Sequence, residues 1–450
     1  MLLRHVQAYY KYISMNYASI VNLIFLIIST LVSIYLFHFF FFMVVGVFRK
    51  RKFPKVEEKC RYGILVSAKD EENVIPRLIN SIRNADYPQD RLDIIIVAHN
   101  CKDKTADVAR SMGANVIVYN DENARTLGLA YQYAFTQFNV KEYDGIIILN
   151  ADNEVKKDFF ERLNEAFVYH KKDSVVTSFR QASNIKDGIM PAVYGYYFAA
   201  GCSLSFIGRE CFDTSCRVTG CGFVIPVRLL ENGWNYTTIT EDIEFSADIV
   251  LNGEYIRYCD DAVFYDEQPR DFKTMWFQRL RWAKGQNLTN RKYFGKLLKA
   301  LFDKNKKNKL SLFIALTFNS AVPLLFFFLF VLQNAVLLFS PLAGVSLQET
   351  FLYWNHEQNW FQNLFLSLNT GALFGMAKTA VRVFLGSYLT AIMTLIASRG
   401  KLKGQAKLPM IFGFVVFPLF LLLQVPLDIA ALFIRDLKWR KIPHGVSKKK

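Results

Sequence analysis

The chain has 450 residues and a mass of 52.0 kDa, with 52% apolar residues, 15% aromatics including 41 Phe, and only 21% charged residues. That much Phe beside so little charge excludes a disordered or low-complexity chain and is foreign to an ordinary soluble enzyme, while the length allows two or three domains, or one with a membrane anchor. Lys and Arg outnumber Asp and Glu by 55 to 39, a net charge of +16, so where those charges sit decides whether they describe a nucleic-acid surface.

Behind an N-terminal segment, 1–18, residues 19–48 carry no formal charge apart from His38 and are rich in Ile, Leu, Val and Phe. As a helix this stretch covers roughly 45 Å, more than the ~30 Å hydrocarbon core of a bilayer. It runs into Arg49-Lys50-Arg51-Lys52 and not into a small-residue cleavage site. A transmembrane helix is therefore expected, not a signal peptide, with the chain from Arg49 onward on the cytoplasmic side.

Residues 49–290 form the expected cytoplasmic domain. Apolar runs at 62–67, 93–98, 115–119 and 145–149 read as strands. Helical patterns lie between them, one through Val74, Leu78, Ile79 and Ile82, another through Ala106, Val108 and Ala109. Strands alternating with helices predict an α/β fold with a mainly parallel sheet covered on both faces. Ligands of such sheets bind beyond the carboxyl ends of the strands. Asp70, Glu71, His99, Asn100 and Asp152 sit at those ends. All seven Cys fall in this domain. An odd number on the cytoplasmic side without a Cys-x-x-Cys pair predicts reduced thiols, and no His stands near Cys211, Cys216 and Cys221 to complete a zinc set.

Three segments carry side chains suited to chemistry. In Asn150-Ala151-Asp152-Asn153 a carboxylate follows a buried strand, where it serves either as a turn residue or as a ligand for Mg²⁺ or Mn²⁺ on a diphosphate. Thr240-Glu241-Asp242 reads either as a helix start, with Thr as N-cap and acids at the positive end of the dipole, or as the seat of a general base. In Gln278-Arg279-Leu280-Arg281-Trp282, helical spacing puts Gln278, Arg281 and Trp282 on one face. That face suits a phosphate clamp beside a sugar-stacking ring, or equally an amphipathic helix at a membrane surface.

Toward the C-terminus a basic segment, 291–309, is expected at the interface, then a transmembrane region over 310–434 with apolar blocks at 310–339, 381–398 and 409–434. The loop 340–360 has no Lys or Arg and two Glu, and the tail 435–450 has seven Lys or Arg and one Asp. The tail therefore reads as cytoplasmic, which needs an even count of crossings after the first. Either 409–434, with Pro418 and Pro426, turns back as a re-entrant pair, or 361–378 contains another crossing. Basic clusters flank every apolar block. The net charge thus reads as orientation and contact with anionic lipid, and no nucleic-acid partner is expected.

The ordered set Asp70-Glu71, Asp103 with Thr105, Asn150-Ala151-Asp152, Thr240-Glu241-Asp242 and Gln278–Trp282 resembles the membrane-bound family-2 glycosyltransferases, the group of cellulose, chitin and hyaluronan synthases. Gly220-Cys221-Gly222 is similar to that family's acceptor loop, and Ala262, Glu267 and Pro269 match the segment before its last motif. The resemblance spans about residues 60–286. It implies a GT-A-like nucleotide-sugar-binding domain and an inverting, metal-dependent transfer from a nucleotide-activated hexose, UDP-linked by expectation.

By that resemblance Glu71, His99, Asp103, Asn150, Asp152, Gln278 and Arg281 would bind the donor, with Asp152 holding Mg²⁺ or Mn²⁺. Asp242, aided by Glu241, would be the catalytic base, and Gly220, Cys221, Gly222 and Trp282 would face the acceptor. Three positions depart from the family pattern. His99 replaces an aspartate that contacts uracil, Asn150 replaces the first acid of Asp-x-Asp, and Leu127 replaces a lysine. The expected protein is a multi-pass enzyme of the cell membrane that extends a polysaccharide and exports it through its own helices. The alternatives are transfer of one sugar to a lipid or lipid-linked acceptor, and a non-catalytic scaffold that keeps the fold.

Overall fold

The computed structural model describes residues 37–121, 126–316, 370–398, 400–402 and 407–434, with isolated helical positions between 23 and 34 and between 327 and 332. Most of the expected apolar block 310–339, the loop 340–360 and the tail 435–450 lie outside the described residues. Internal contacts divide the chain into two units, Met1–Phe40 with Val322–Ser387, and Phe41–Ala321 with Tyr388–Lys450. Every contact described below lies within the second.

Eight strands form one sheet: β1 (Tyr62–Ala68), β2 (Leu92–His99), β3 (Asn115–Tyr119), β4 (Gly145–Asn150), β5 (Asn153–Val155), β6 (Val175–Ala182), β7 (Phe223–Pro226) and β8 (Ile256–Asp266). Their order is β3-β2-β1-β4-β7-β6-β8-β5. The pairs β1–β2, β1–β4, β2–β3 and β6–β8 are parallel, whereas β7 runs antiparallel to β4 and β6, and β5 to β8. The first four strands match the apolar runs of the sequence to within a residue or two. β1, β2 and β4 are mainly apolar because helices cover both faces, whereas the edge strand β3 stays partly exposed. Tyr62, Ile64 and Val66 of β1 enter one core with Ile79, Phe160 and Phe167, while Leu65 enters the other with Ile146, Ile148, Phe223 and Phe245.

The helices on the first face are α2 (Ile75–Arg83), α3 (Thr105–Ser111) and α5 (Phe159–Tyr169). The other face carries α4 (Leu127–Ala134), α6 (Ile189–Ala200) and α8 (Glu241–Leu251). A π-helical turn, Gly201–Phe206, joins α6 to α7 (Ile207–Cys211). The 31-residue α9 (Phe272–Phe302) runs without a break past residue 290, and α10 (Lys309–Ala315) follows it.

Apolar helices pack directly on this domain. In α1 (Phe37–Phe48), Gly46 lies so close to α6–α7 that a Cβ there would stand 2.3 Å from the Leu204 carbonyl oxygen. Gly208 meets the Phe42 carbonyl in the same way, at 2.2 Å. After α11 (Thr370–Ala397), α12 (Lys407–Leu422) lays Gly413 against Ala192 of α6, and α13 (Gln424–Phe433) packs Leu427 and Ala431 on Leu280 and Ala283 of α9. Among the described residues, Ala380–Ala397 and Lys407–Phe433 are long and apolar enough to cross a membrane. All seven cysteines are free thiols.

One buried carboxylate ties these parts together. Asp260, at the irregularity of β8 where the register with β6 shifts, forms ion pairs with Lys50, at 3.0 Å, and with Lys401. Lys50 follows α1, and Lys401 lies between α11 and α12. Burial works against the charge of Asp260, but Lys401 and Lys50 outweigh it, and its carboxyl titrates below the ordinary 3.8. Removing one partner from a buried ion cluster costs about 3–5 kcal/mol, so Asp260→Asn is expected to lower the thermal unfolding midpoint clearly at pH 7. Because the folded pKa is depressed, the contribution is present above pH 3.8 and fades as pH falls through the folded value. The gap between wild type and variant should therefore close in acid; equal midpoints at pH 7 would refute the role.

Candidate active site

The register of the parallel strands sets the site. Ala68 of β1 stands beside Ala98 of β2, and Ser67 beside Asn150 of β4, so the loops after all three strands emerge at one edge. Asp70 and Asn100 turn the chain there with φ of +56° and +51°. The two loops are laced together: Lys102 N–H donates to Asp70 Oδ1 at 2.6 Å, Glu71 N–H to Thr105 Oγ1 at 2.7 Å, and Glu72 N–H to Asp103 Oδ2 at 3.2 Å. Asp103 also accepts the Thr105 amide at 3.0 Å, so it braces the loop on which Glu71 sits half-buried. Asp70, Cys101 and Asp103 bring one ligand atom each within 4.8 Å of one another. Burial pushes the His99 imidazole down to about 4, with Lys69 adding to the effect and Asp70 opposing it. His99 is therefore a neutral ring at physiological pH, able to donate one hydrogen bond and accept another.

After β4, Asn153 organises the turn. Its Oδ1 accepts the Asn150 amide at 2.9 Å, while its Nδ2 donates to Asp152 Oδ1 at 3.3 Å and to Asp266 Oδ1 at 2.7 Å. Asp152 caps no helix, since the next one, α5, starts behind Asp158. Among the described residues, the side-chain oxygen of Asn150 is buried without a hydrogen-bond partner. Such an orphan costs about 1–3 kcal/mol unless something else satisfies it. A carboxylate beside an unsatisfied amide oxygen is a hard-oxygen donor set of the kind that suits Mg²⁺ or Mn²⁺.

Glu241 and Asp242 open α8. Thr240 occupies the N-cap position, but its hydroxyl caps nothing. The side chain is pressed against α9, where a Cβ on Gly285 would come within 2.3 Å of it. Glu244 satisfies the local backbone instead, its Oε2 accepting the Thr238 amide at 3.0 Å. Burial raises the carboxyl of Glu241, Asp242 adds to the rise, and Arg281 opposes it. Burial also raises Asp242, against the Ile243 amide and Arg217, Arg281 and Arg180. Two adjacent carboxyls thus titrate above their usual range while three guanidiniums face one of them.

Along α9 the motif divides its side chains by direction. Arg281 reaches back to α8, donating Nη1–H to the Ile239 carbonyl at 3.1 Å. Gln278 Oε1 accepts the Tyr194 hydroxyl at 2.7 Å, and Trp282 stands edge-on to Tyr194 and Phe198 with centroids at 6.2 and 6.3 Å. Arg279 points the other way, to the Phe420 carbonyl at 2.7 Å and Gln424 Oε1 at 2.8 Å. The sequence-predicted face is therefore an aromatic wall carrying Gln278 and Trp282, with Arg281 turned to the acids.

Between these parts lies the segment Gly220-Cys221-Gly222. Gly220 has φ +87°, and a Cβ on it would lie 3.9 Å from Asp242 Oδ2 and 4.0 Å from Arg180 Nη1. Gly222 has φ +72°, and its Cβ would overlap the Phe264 ring at 2.0 Å. Cys221 is fully buried between them, and burial pushes its thiol far up; Arg180 opposes this, whereas Asp266, Asp152 and Asp242 reinforce it. Asp242 and Arg180 thus meet at Gly220, and Arg180 binds the Asp266 that holds Asn153 against Asp152, so a continuous set of contacts connects the two acids. Arg180, Arg217, Asn153 and Asp266 escaped sequence reasoning. The signal for Arg180 was weak, an Arg-Gln pair behind Thr and Ser in the segment 175–182.

The profile described as glycosyltransferase like family 2 matches residues 60–285, half of the chain. The probable glycosyltransferase YdaM of Bacillus subtilis is 26% identical over 354 residues, covering 74% of this chain and 80% of that protein. The β-monoglucosyldiacylglycerol synthase of Trichormus variabilis is 23% identical over 301 residues, 63% of this chain and 61% of its own length. The poly-β-1,6-N-acetyl-D-glucosamine synthase of Staphylococcus epidermidis is 25% identical over 291 residues, 61% and 65% of the two chains. With a GT-A-like sheet under the site and a family match over half its length, the chain belongs to glycosyltransferase family 2, enzymes that draw on nucleotide sugars.

Proposed function

We propose that the protein is an inverting membrane glycosyltransferase that moves a hexose from a UDP-type donor onto a growing glycan. The observation that carries the reading is the meeting of Asp242 and Arg180 beside Gly220, with Arg281 acting on the same carboxyl from α9 and Arg180 linked to Asp152 through Asp266 and Asn153. In this reading Asp242 takes the proton of the acceptor hydroxyl as its oxygen bonds to the anomeric carbon. The bond from that carbon to the diphosphate breaks on the opposite side, inverting the configuration. Arg281 offsets the charge on the departing diphosphate. Glu241 shares protons with Asp242 and so tunes the base. Asp152 and the Asn150 side-chain oxygen would hold Mg²⁺ or Mn²⁺, whose chemistry there is to neutralise the diphosphate. Glu71 and a neutral His99 would flank the nucleoside. Trp282 would offer its face to the acceptor sugar, above the loop held open by Gly220 and Gly222.

The same reading places the domain at the cytoplasmic face. Lys50 and Lys401, from basic runs after two different apolar helices, converge on Asp260, which supports one side for both runs. Export of the glycan through the chain's own helices belongs to this proposal. The likeness to a β-monoglucosyldiacylglycerol synthase favours a second reading, one sugar added to a lipid.

Purified protein incubated with UDP-glucose, UDP-GlcNAc or GDP-mannose and Mn²⁺ should release nucleotide with at least one donor. Product length separates the readings, a ladder of long chains for extension and one added sugar on lipid for the second. Asp242→Asn should cut turnover by about 10² to 10⁴; unchanged nucleotide release would remove Asp242 as the base, and no release from the wild type with any donor would leave only a scaffold. Because both acids titrate above their ordinary range, activity should climb with pH beyond that range, and Glu241→Gln should move the climb to lower pH. Gly222→Ala should abolish activity and lower the unfolding midpoint, since the added methyl meets both the Phe264 ring and a left-handed backbone.

A further inference from the structure

One buried guanidinium links the Gly220 loop, the aromatic wall and, through Asp266 and Asn153, the turn that carries Asp152. Arg180, on β6, donates Nε–H to Asp266 Oδ2 at 3.0 Å and pairs with the same carboxylate through Nη2. Its Nη1–H binds the Thr219 carbonyl at 2.8 Å, immediately before Gly220. Its Cζ lies 3.9 Å from the centroid of Phe198, the ring that meets Trp282 edge-on. The other oxygen of Asp266 holds Asn153, which in turn holds Asp152 and the Asn150 amide. Gln268 also binds Asp266.

We infer that Arg180 is a positioning residue that sets the Asp152 loop, the Gly220 loop and the aromatic wall in fixed register, so that metal, base and acceptor face assemble together. The inference rests on the function proposed above. Its physical ground is that a buried Arg–carboxylate pair has one well-defined geometry, and partners of metal ligands tune affinity through the ligand's orientation. A pair that only stabilised the sheet would have no need to direct its remaining donors to the Gly220 loop and its flat face to Phe198.

The test measures Mn²⁺ binding to the full chain in detergent, with UDP present and no turnover, by the electron paramagnetic resonance signal of free Mn²⁺. Arg180→Gln should weaken Mn²⁺ binding about 10- to 100-fold, and Arg180→Lys should recover part of the loss. Asn153→Ala cuts the relay between Asp266 and Asp152 but keeps the Arg180–Asp266 pair, so it carries the test if Arg180→Gln does not fold. It should weaken Mn²⁺ to a similar degree; because the Asn150 amide and Asp266 Oδ1 lose a buried partner the unfolding midpoint should fall as well, and Mn²⁺ affinity is read well below that midpoint. Wild-type affinity in Asn153→Ala, or in a folded Arg180→Gln, overturns the role of Arg180 and leaves the proposed function standing. A wild-type chain that binds no Mn²⁺ with UDP would remove both.

Discussion

The site depends on taking carboxylates out of water without neutralising them for good. Glu241 and Asp242 are enclosed where α8 meets α9, and an isolated ionised carboxyl in such surroundings would simply keep its proton. Arg281, Arg217 and Arg180 approach Asp242 from three separate elements and hold the balance between its charged and neutral forms. The price of that balance is rigidity: each guanidinium has to be fixed by something else, Arg281 by the Ile239 carbonyl and Arg180 by Asp266 and the Thr219 carbonyl. Packing follows from this demand. Gly285 lets α9 close on Thr240, because any side chain there would push Arg281 away from α8.

The same helix joins the domain to the apolar helices. Arg279 and Lys284 on the far side of α9 bind the Phe420 and Ala431 carbonyls of α12 and α13, with Leu280 and Ala283 packed on Leu427 and Ala431. Arg279 also stacks its guanidinium on Phe420 at 4.1 Å. A displacement of α12–α13 therefore acts on the helix that carries Gln278, Arg281 and Trp282. Within this unit the candidate site and the apolar helices share one mechanical element.

Much of the fold was legible because its first half is locally encoded. Strands β1 to β4 are short apolar runs bounded by polar turns, and Val74, Leu78, Ile79 and Ile82 mark the buried face of α2 as the spacing predicted. The strands β6, β7 and β8 were not legible. β6 reads Val-Val-Thr-Ser-Phe-Arg-Gln-Ala, and its polar residues are buried by tertiary partners that lie some forty to ninety residues away, Gly222 for Ser178 and Asp266 for Arg180. The acids, the Gly-x-Gly segment and the α9 motif stood out as residue types in order. Their supports, Asn153, Arg180, Arg217 and Asp266, did not, since an Asn in a turn or an Arg in a strand means nothing until the partner is known. Thr240 shows the converse error. Its local pattern indicates an N-cap, yet contact with Gly285 takes its side chain elsewhere and Glu244 satisfies the Thr238 amide instead.

The departures from the family pattern fit this logic. With Asn at 150 in place of a first acid, the site contains one carboxylate fewer, and less charge has to be balanced around Asp152. The oxygen of Asn150 is left without a protein partner, whereas Asp152 is oriented by Asn153 and through it by Asp266 and Arg180. Under the proposed function, one charged and one neutral oxygen would hold a divalent ion more weakly than two carboxylates, and more of the ion's hold would come from the donor's diphosphate. Ion and nucleotide would then arrive together, and the Asp152 loop would take a larger share in placing the diphosphate.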